Sequence, residues 1–192
     1  MNENMLPRGM NSSDQAVAIA LRLVGHGSYQ LGTGDCDTPD DAPTDCAGFA
    51  ICKCYDLRRH EPINAGNPSG VATYDVQGDI NTNSALGDAH GAQKFFTVAQ
   101  APYRPGDLLM CPTIRAHDAH GGLHEFIGHV VIVIDVGRYD GTYRSLDIVE
   151  SKGPDGRRPG ITQGDGRYFD EHDETWPLDK HRSWVLRPVA QE

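Results

Sequence analysis

The sequence lacks several features that would identify particular classes of protein. No apolar run reaches the length of about 18 residues that a membrane-spanning helix needs, so membrane insertion is not expected. Lys and Arg (17) are fewer than Asp and Glu (27), which gives a net charge of −10 at pH 7. Because a nucleic-acid binder needs a basic surface to neutralise phosphates, a nucleic-acid partner is not expected either.

The first residues, MNENMLPRGMNSSD, do not show the basic and then apolar pattern of a secretory signal peptide. We therefore expect a protein that stays in the cytoplasm, or one that leaves by lysis, inside a virion or through a signal-independent route. The five cysteines are an odd number without a repeating spacing. This pattern argues against a disulfide scaffold and favours a search for one reactive thiol.

The 192 residues predict a single domain, and 22 Gly and 12 Pro predict that it is rich in loops. Residues 1–10 read as a loose leader, and residues 60–93 and 112–127 as insertions, the first with one short helix. Residues 153–192 match no pattern that we can place. Nothing in the composition predicts an oligomeric state.

The order of periodic segments predicts an α+β fold, with N-terminal helices packed on a mostly antiparallel sheet. A helix is expected in residues 12–27, with a cap among Ser12, Ser13 and Asp14, and a second helix from Asp45 onwards. Short apolar or β-branched runs then predict strands. They are KFFTV, DLLMC, HVVIVIDV, SLDIVES and SWVLRPV. Because HVVIVIDV is apolar at odd and even positions, it is expected to be a central strand.

Cys46 is the leading candidate nucleophile. If Asp45 caps the second helix, the sulfur lies in its first turn, where free amides and the helix dipole favour a thiolate. The small neighbours Ala47 and Gly48 leave room for a substrate carbonyl, and the Cys46 amide could bind the oxyanion. The alternative is a buried cysteine with a purely structural role.

His129 and Glu150 could complete a catalytic set with Cys46. His129 begins the strand HVVIVIDV, from which its imidazole could serve as a general base toward a thiol. Glu150 ends the next strand on the face shared by Leu146 and Ile148, where a carboxylate needs a partner. If the two strands pair, Glu150 could orient the imidazole. The alternative is an ordinary solvated glutamate.

Five short motifs stand in the order found in one enzyme family. They are SYQLGTG, DCAGF, RPGDLLM, GHVVIVI and IVES, within residues 14–152. In this order the chain resembles the NlpC-type papain-like cysteine peptidases, bacterial and phage enzymes that cleave peptidoglycan and are related to the CHAP amidases. The resemblance implies a papain-like fold and a cysteine peptidase or amidase that needs no cofactor.

The resemblance also assigns roles to individual residues. Cys46 matches the nucleophile, His129 the base, and Glu150 the orienting residue, a position at which the family commonly has His. Tyr29 matches a tyrosine that lines the site, and together with Asp45 and Ala47 it forms the expected substrate-binding set. Ala47 stands where the family usually has Ser. The implied substrate is the stem peptide of peptidoglycan.

Three other interpretations stay open at this point. The segment AHDAHGGLHEFIGH could hold a metal ion through His117, His120 and His124, although a polar loop is the interpretation we prefer. The chain could also be a catalytically silent papain-like binding module. Finally, Cys36 could form a disulfide with Cys46 that inactivates the nucleophile.

Overall fold

A computed structural model describes eight stretches of the chain. They are residues 10–33, 39–57, 82–91, 93–117, 123–126, 128–153, 160–175 and 183–189. The α-helices are α1 Ser13–Leu23, α2 Thr82–His90 and α3 Arg167–Thr175. A π-helix spans Gly48–Cys54, and a 3-10 helix spans Tyr143–Ser145. In the described stretches no helix is long and apolar enough to cross a bilayer.

The first helix is confirmed, and Ser12 is its cap. The Ser12 hydroxyl accepts the N–H of Gln15, and the Gln15 side chain accepts the N–H of Ser12, which satisfies two amides at the helix start. Its inward face carries Ala16, Ala20 and Leu23, all almost fully buried. The helix ends at Leu23, so it is shorter than the segment 12–27 that we predicted.

The second predicted helix starts where expected but has a different geometry. Cys46 and Ala47 are helical, and the chain then continues as the π-helix. All of its residues except Lys53 are buried. Because a segment that is apolar on nearly every side has no strong periodicity, its pattern cannot distinguish i→i+4 from i→i+5 hydrogen bonding. Our prediction of an ordinary α-helix was therefore wrong beyond the first turn.

Eight strands form two sheets. They are β1 Phe96–Val98, β2 Leu108–Cys111, β3 Ile114–His117, β4 Leu123–Phe126, β5 His129–Asp135, β6 Asp147–Lys152, β7 Gly160–Asp165 and β8 Trp184–Pro188. Six of them form an antiparallel sheet in the order β1-β8-β2-β5-β6-β7. The α+β class and all five predicted strands are confirmed. β5 lies inside the sheet, as its unbroken apolar run predicted.

Three elements were not predicted from the sequence. The backbones of β3 and β4 pair with each other inside residues 112–127, which we had interpreted as an insertion. β7 and α3 lie within residues 153–175, where the sequence suggested no pattern. The short helix expected within residues 60–93 is confirmed as α2.

The six-stranded sheet is covered on both faces. α1, the π-helix and α2 pack on one face against alternate strand residues that include Leu108, Met110, Val130 and Ile132. The intervening residues, such as Val131 and Val133, face a second cluster that contains Phe169 of α3. Because side chains alternate along a strand, β5 contributes to both clusters. This arrangement brings the start of β5 close to helices from both layers.

Candidate active site

The start of the second helix is fixed by Asp45. Its Oδ1 accepts the N–H of Gly48 at 2.7 Å, and its Oδ2 accepts the N–H of Gly32 at 3.0 Å. The first contact caps the helix, and the second ties the loop that carries Tyr29 to it. Cys46 follows as a free thiol that is 5% exposed. As residues of the first turn, Cys46 and Ala47 have amides without an intrahelical acceptor.

Strand pairing brings His129 next to Glu150. β5 and β6 are antiparallel neighbours, so the first residue of β5 lies near the end of β6. His129 Nε2 is 2.7 Å from Glu150 Oε2, and the two side chains are only 13% and 11% exposed. Lys152 places its ammonium 3.9 Å from the other oxygen of Glu150, Oε1. Glu150 is therefore a buried, partnered carboxylate and not a solvated one.

Cys46 contacts the same imidazole from the helix side. The side chains of Cys46 and Glu150 both interact with His129, and Glu150 does so through the 2.7 Å hydrogen bond. Because Nε2 faces Glu150, Nδ1 is the ring nitrogen left for the sulfur. Burial by itself lowers the pKa of His129, but the hydrogen bonds and negative charges of its two partners outweigh burial and raise that pKa to about 9. The imidazolium form is therefore favoured at neutral pH.

The residue before His129 forms one wall of the site. The Cys46 Sγ lies 3.8 Å from the carbonyl oxygen of Gly128, and the Gly128 N–H donates to the Thr113 hydroxyl at 2.8 Å. Asn83 of α2 holds Thr113 in turn, accepting its N–H at 2.8 Å and donating to its carbonyl at 3.2 Å. A Cβ on Gly128 would lie 2.4 Å from Thr82 Oγ1, so only glycine fits here.

Tyr29 lies near Cys46 and Asp45. Burial, together with the negative charges of Cys46 and Asp45, raises the pKa of Tyr29 to about 12. Its ring contacts Gly153 just after β6, where an added Cβ would come within 3.1 Å of the ring. Tyr29 also forms a bridge with Thr44, whose carbonyl accepts the Ser151 hydroxyl at 2.9 Å. These contacts join the Tyr29 loop, the helix start and the end of β6.

The structure adds site residues that sequence reasoning missed. Tyr168 and Phe169 of α3 contact the His129 ring, with centroid distances of 5.4 and 5.9 Å. Cys111, a buried free thiol, is the cross-strand partner of His129 in β2. The sequence GDGRYF could have indicated that a helix starts here, because Asp165 accepts the Arg167 N–H at the start of α3.

Two of the three histidines of the metal alternative lie on the two-stranded sheet. His117 lies on β3 and His124 on β4, where they pair with Leu123 and Ala116 respectively, and His120 is outside the described residues. Among described side chains, no group of three or more His, Cys, Asp or Glu is arranged to hold a metal ion.

The cysteines differ from our expectation in one respect. Cys46 is a free thiol, so the inactivating disulfide with Cys36 is not formed. Cys36 itself lies outside the described residues. Cys52 is disulfide-bonded, which the spacing of the cysteines did not predict.

Comparison with known proteins gives no match: no protein-family model, no curated protein and no solved structure is similar to this chain. The function must therefore be argued from the site. Nucleophilic acyl transfer needs three parts, which are a thiol at a helix start, an imidazole beside it and a carboxylate behind the imidazole.

Proposed function

We propose that this chain is a papain-like cysteine peptidase or amidase that hydrolyses peptide bonds of bacterial peptidoglycan. The observation that carries the proposal is the position of the buried His129 imidazole, which hydrogen-bonds Glu150 at 2.7 Å and interacts with the buried Cys46 thiol. A Cys–His–acid catalytic set requires a histidine with these two partners.

The proposed reaction begins with the Cys46 sulfur as a thiolate next to the His129 imidazolium. The sulfur attacks the amide carbonyl and forms a tetrahedral oxyanion, which the backbone amide of Cys46 is placed to bind. His129 gives its proton to the leaving amine as the C–N bond breaks, which leaves an acyl-enzyme on the sulfur. Neutral His129 then takes a proton from water, the hydroxide displaces the sulfur, and the carboxylic acid product leaves.

Glu150 supports both proton transfers in this scheme. Its carboxylate accepts the N–H of Nε2, which leaves Nδ1, the ring nitrogen on the side of Cys46, to take up and give back the proton. Because the carboxylate is buried, its charge acts on the imidazolium with little screening by solvent. A neutral group at this position would stabilise the imidazolium less.

The choice of peptidoglycan as substrate rests on the motif order and not on the site geometry. SYQLGTG, DCAGF, RPGDLLM, GHVVIVI and IVES follow the NlpC-type order, and three of these motifs carry Cys46, His129 and Glu150. In that family the usual target is the bond between D-glutamate and the diamino acid of the stem peptide. We therefore propose this bond, with Tyr29 lining the substrate cleft.

The test is digestion of purified sacculi of several chemotypes, followed by mass spectrometry of the released muropeptides. The wild-type chain should release fragments cut at one peptide bond, and Cys46→Ala should release none. Cys54→Ala is the matched control, because Cys54 is a free buried thiol on the π-helix that the mechanism does not use. Iodoacetamide should abolish activity, whereas EDTA should not.

Two results would overturn the proposal. If Cys46→Ala cleaves as fast as the wild type, Cys46 is not the nucleophile. If the folded wild-type chain cleaves no chemotype, peptidoglycan is the wrong substrate, and the chain is a peptidase of another substrate or a silent binding module.

A further inference from the structure

Two adjacent aromatic residues of α3 enclose the His129 imidazole. The Phe169 ring stacks on it, with a centroid distance of 5.9 Å and an interplanar angle of 19°. The Tyr168 ring meets it edge to face, at 5.4 Å and 77°. Such aromatic contacts favour one ring orientation over others, and the face of an aromatic ring also attracts a cation.

The two rings differ in their exposure to solvent. Phe169 is fully buried in the core on this face of the sheet, whereas Tyr168 is 39% exposed. The His129 side chain itself is 13% exposed. Tyr168 is therefore the ring that lies between the imidazole and solvent. Loss of the Tyr168 side chain would allow the imidazole to rotate outwards and would allow water to reach Cys46 and Glu150.

α3 is held in place at two points, so it offers a fixed platform for Tyr168. The Asp170 carboxylate accepts the backbone N–H groups of Tyr143 and Arg144 at 2.9 and 2.8 Å. The Asp173 carboxylate accepts both the N–H and the hydroxyl of Ser183 at 2.8 Å, just before β8. Charge-assisted hydrogen bonds to backbone amides are among the stronger anchors in proteins.

The Tyr168 phenol also lies beside Cys111, the residue opposite His129 across β2 and β5. Burial first, and then the charges of Cys111, Cys46 and Glu150, raise the pKa of Tyr168 above its ordinary value. The phenol therefore stays neutral and can donate to the Cys111 sulfur throughout the range in which the enzyme would work.

We propose that Tyr168 is a positioning residue, which keeps the His129 imidazolium between Cys46 and Glu150 and keeps water away from it. This inference rests on the proposed function, because it assigns the aromatic ring a role in maintaining the reactive pair. The ring carries the effect, and the hydroxyl makes a smaller contribution by fixing the ring.

The test compares Tyr168→Ala with Tyr168→Phe. Alanine removes the ring but is a strong helix former, so α3 is expected to persist, while phenylalanine keeps the ring and removes only the hydroxyl. Tyr139→Ala is the matched control, since Tyr139 is a half-buried tyrosine in an edge-to-face pair beyond the other end of β5. If Tyr168→Ala fails to fold, Tyr168→Leu replaces it.

Two readouts are needed. The first is the rate of Cys46 alkylation by iodoacetamide at a pH of about 6.5, followed by peptide mass spectrometry, which needs no substrate. Because only the thiolate reacts and the imidazolium favours it, Tyr168→Ala should slow this alkylation by about tenfold. The second is hydrolysis of sacculi, where kcat should fall by about 10- to 100-fold with little change in KM. Tyr168→Phe should stay within about threefold of wild type in both assays.

The two assays separate failure of this inference from failure of the proposed function. If Tyr168→Ala is folded and is alkylated at the wild-type rate, Tyr168 does not position His129, whatever the substrate is. If the Tyr139→Ala control is slowed as much as Tyr168→Ala, the effect is general destabilisation and the inference is also wrong. If wild type shows no hydrolysis, the proposed function fails, and alkylation still decides the role of Tyr168.

Discussion

Replacing Glu150 with Gln tests how strongly the carboxylate favours the charged form of His129. The substitution keeps the size of the side chain and a hydrogen-bonding oxygen but removes the negative charge. We expect the pKa of His129 to fall, because one of the two groups that raise it loses its charge. The fraction of imidazolium at mildly alkaline pH should fall with it.

The expected size of this effect follows from the site. The pKa of His129 rises from 6.5 to about 9. This rise corresponds to about 3 kcal/mol in favour of the imidazolium. Cys46 and Glu150 together supply this against the opposing effect of burial. If the carboxylate supplies roughly half, Glu150→Gln lowers the pKa of His129 by about one.

The assay is an NMR titration of the histidine ring protons. The chain has 9 histidines, so the His129 signal is assigned by its absence in a His129→Gln variant. In wild type this signal should titrate near pH 9, and in Glu150→Gln at a pH of about 8 or below. Since the imidazolium exists below its pKa, the alkaline limb of kcat/KM on sacculi should move in the same direction.

The control is Glu174→Gln, which removes an exposed carboxylate from α3. This variant should leave the titration of His129 unchanged. If His129 titrates at the same pH in Glu150→Gln as in wild type, the carboxylate does not favour the imidazolium, and the role we assign to Glu150 is wrong. If the pKa of His129 falls by the same amount in Glu174→Gln, the net charge of the protein, and not the contact with Glu150, is responsible.

Three further substitutions test the frame of the site. In Gly128→Ala the new Cβ would lie 2.4 Å from Thr82 Oγ1. The variant should therefore lower kcat/KM on sacculi by more than about tenfold and lower the free energy of unfolding, measured by urea titration, by about 1–3 kcal/mol. Wild-type kinetics would contradict this prediction. Asp88→Asn should lower the free energy of unfolding by about 1–3 kcal/mol, since the buried carboxylate accepts three backbone N–H groups, and an unchanged urea midpoint would refute it. Asp147→Lys should raise the free energy of unfolding by about 0.2–1 kcal/mol, because this exposed aspartate lies between Asp135 and Asp165 on the neighbouring strands. A lower free energy of unfolding would contradict this prediction.

Parts of the fold that depend on local pattern could be predicted from the sequence. The capping box at Ser12 and the unbroken apolar run of β5 are signals within a few residues, and both elements formed as expected. The π-helix could not be predicted, because burial on nearly all sides leaves no periodicity to measure. β3 and β4 were missed because their segment is rich in Gly, His and Asp, and only the pairing of the two strands reveals them.

The residues of α3 show a different limit. Tyr168 and Phe169 lie about 120 residues after Cys46 in a segment that is otherwise dominated by charge. Nothing near them in sequence indicates that they contact His129. That contact depends on two long-range anchors, the hydrogen bonds that Asp170 accepts from the 3-10 helix and that Asp173 accepts from Ser183. A sequence pattern records which face of a helix is apolar, but not which strand end that face will meet.

The position of His129 explains why a site can form here at all. Because it is the first residue of β5, its side chain lies at the end of the packed layers, whereas those of Val131 and Val133 lie inside the second cluster. It can therefore contact Cys46, which belongs to the helical layer on one face, and Phe169, which belongs to the layer on the other. A histidine two residues further along would be enclosed on one face only and could not reach the thiol. The strand end is thus the position along β5 from which an imidazole can contact both layers. Gly128 is as necessary to the site as the histidine, because only a residue without a Cβ can lie this close to Thr82.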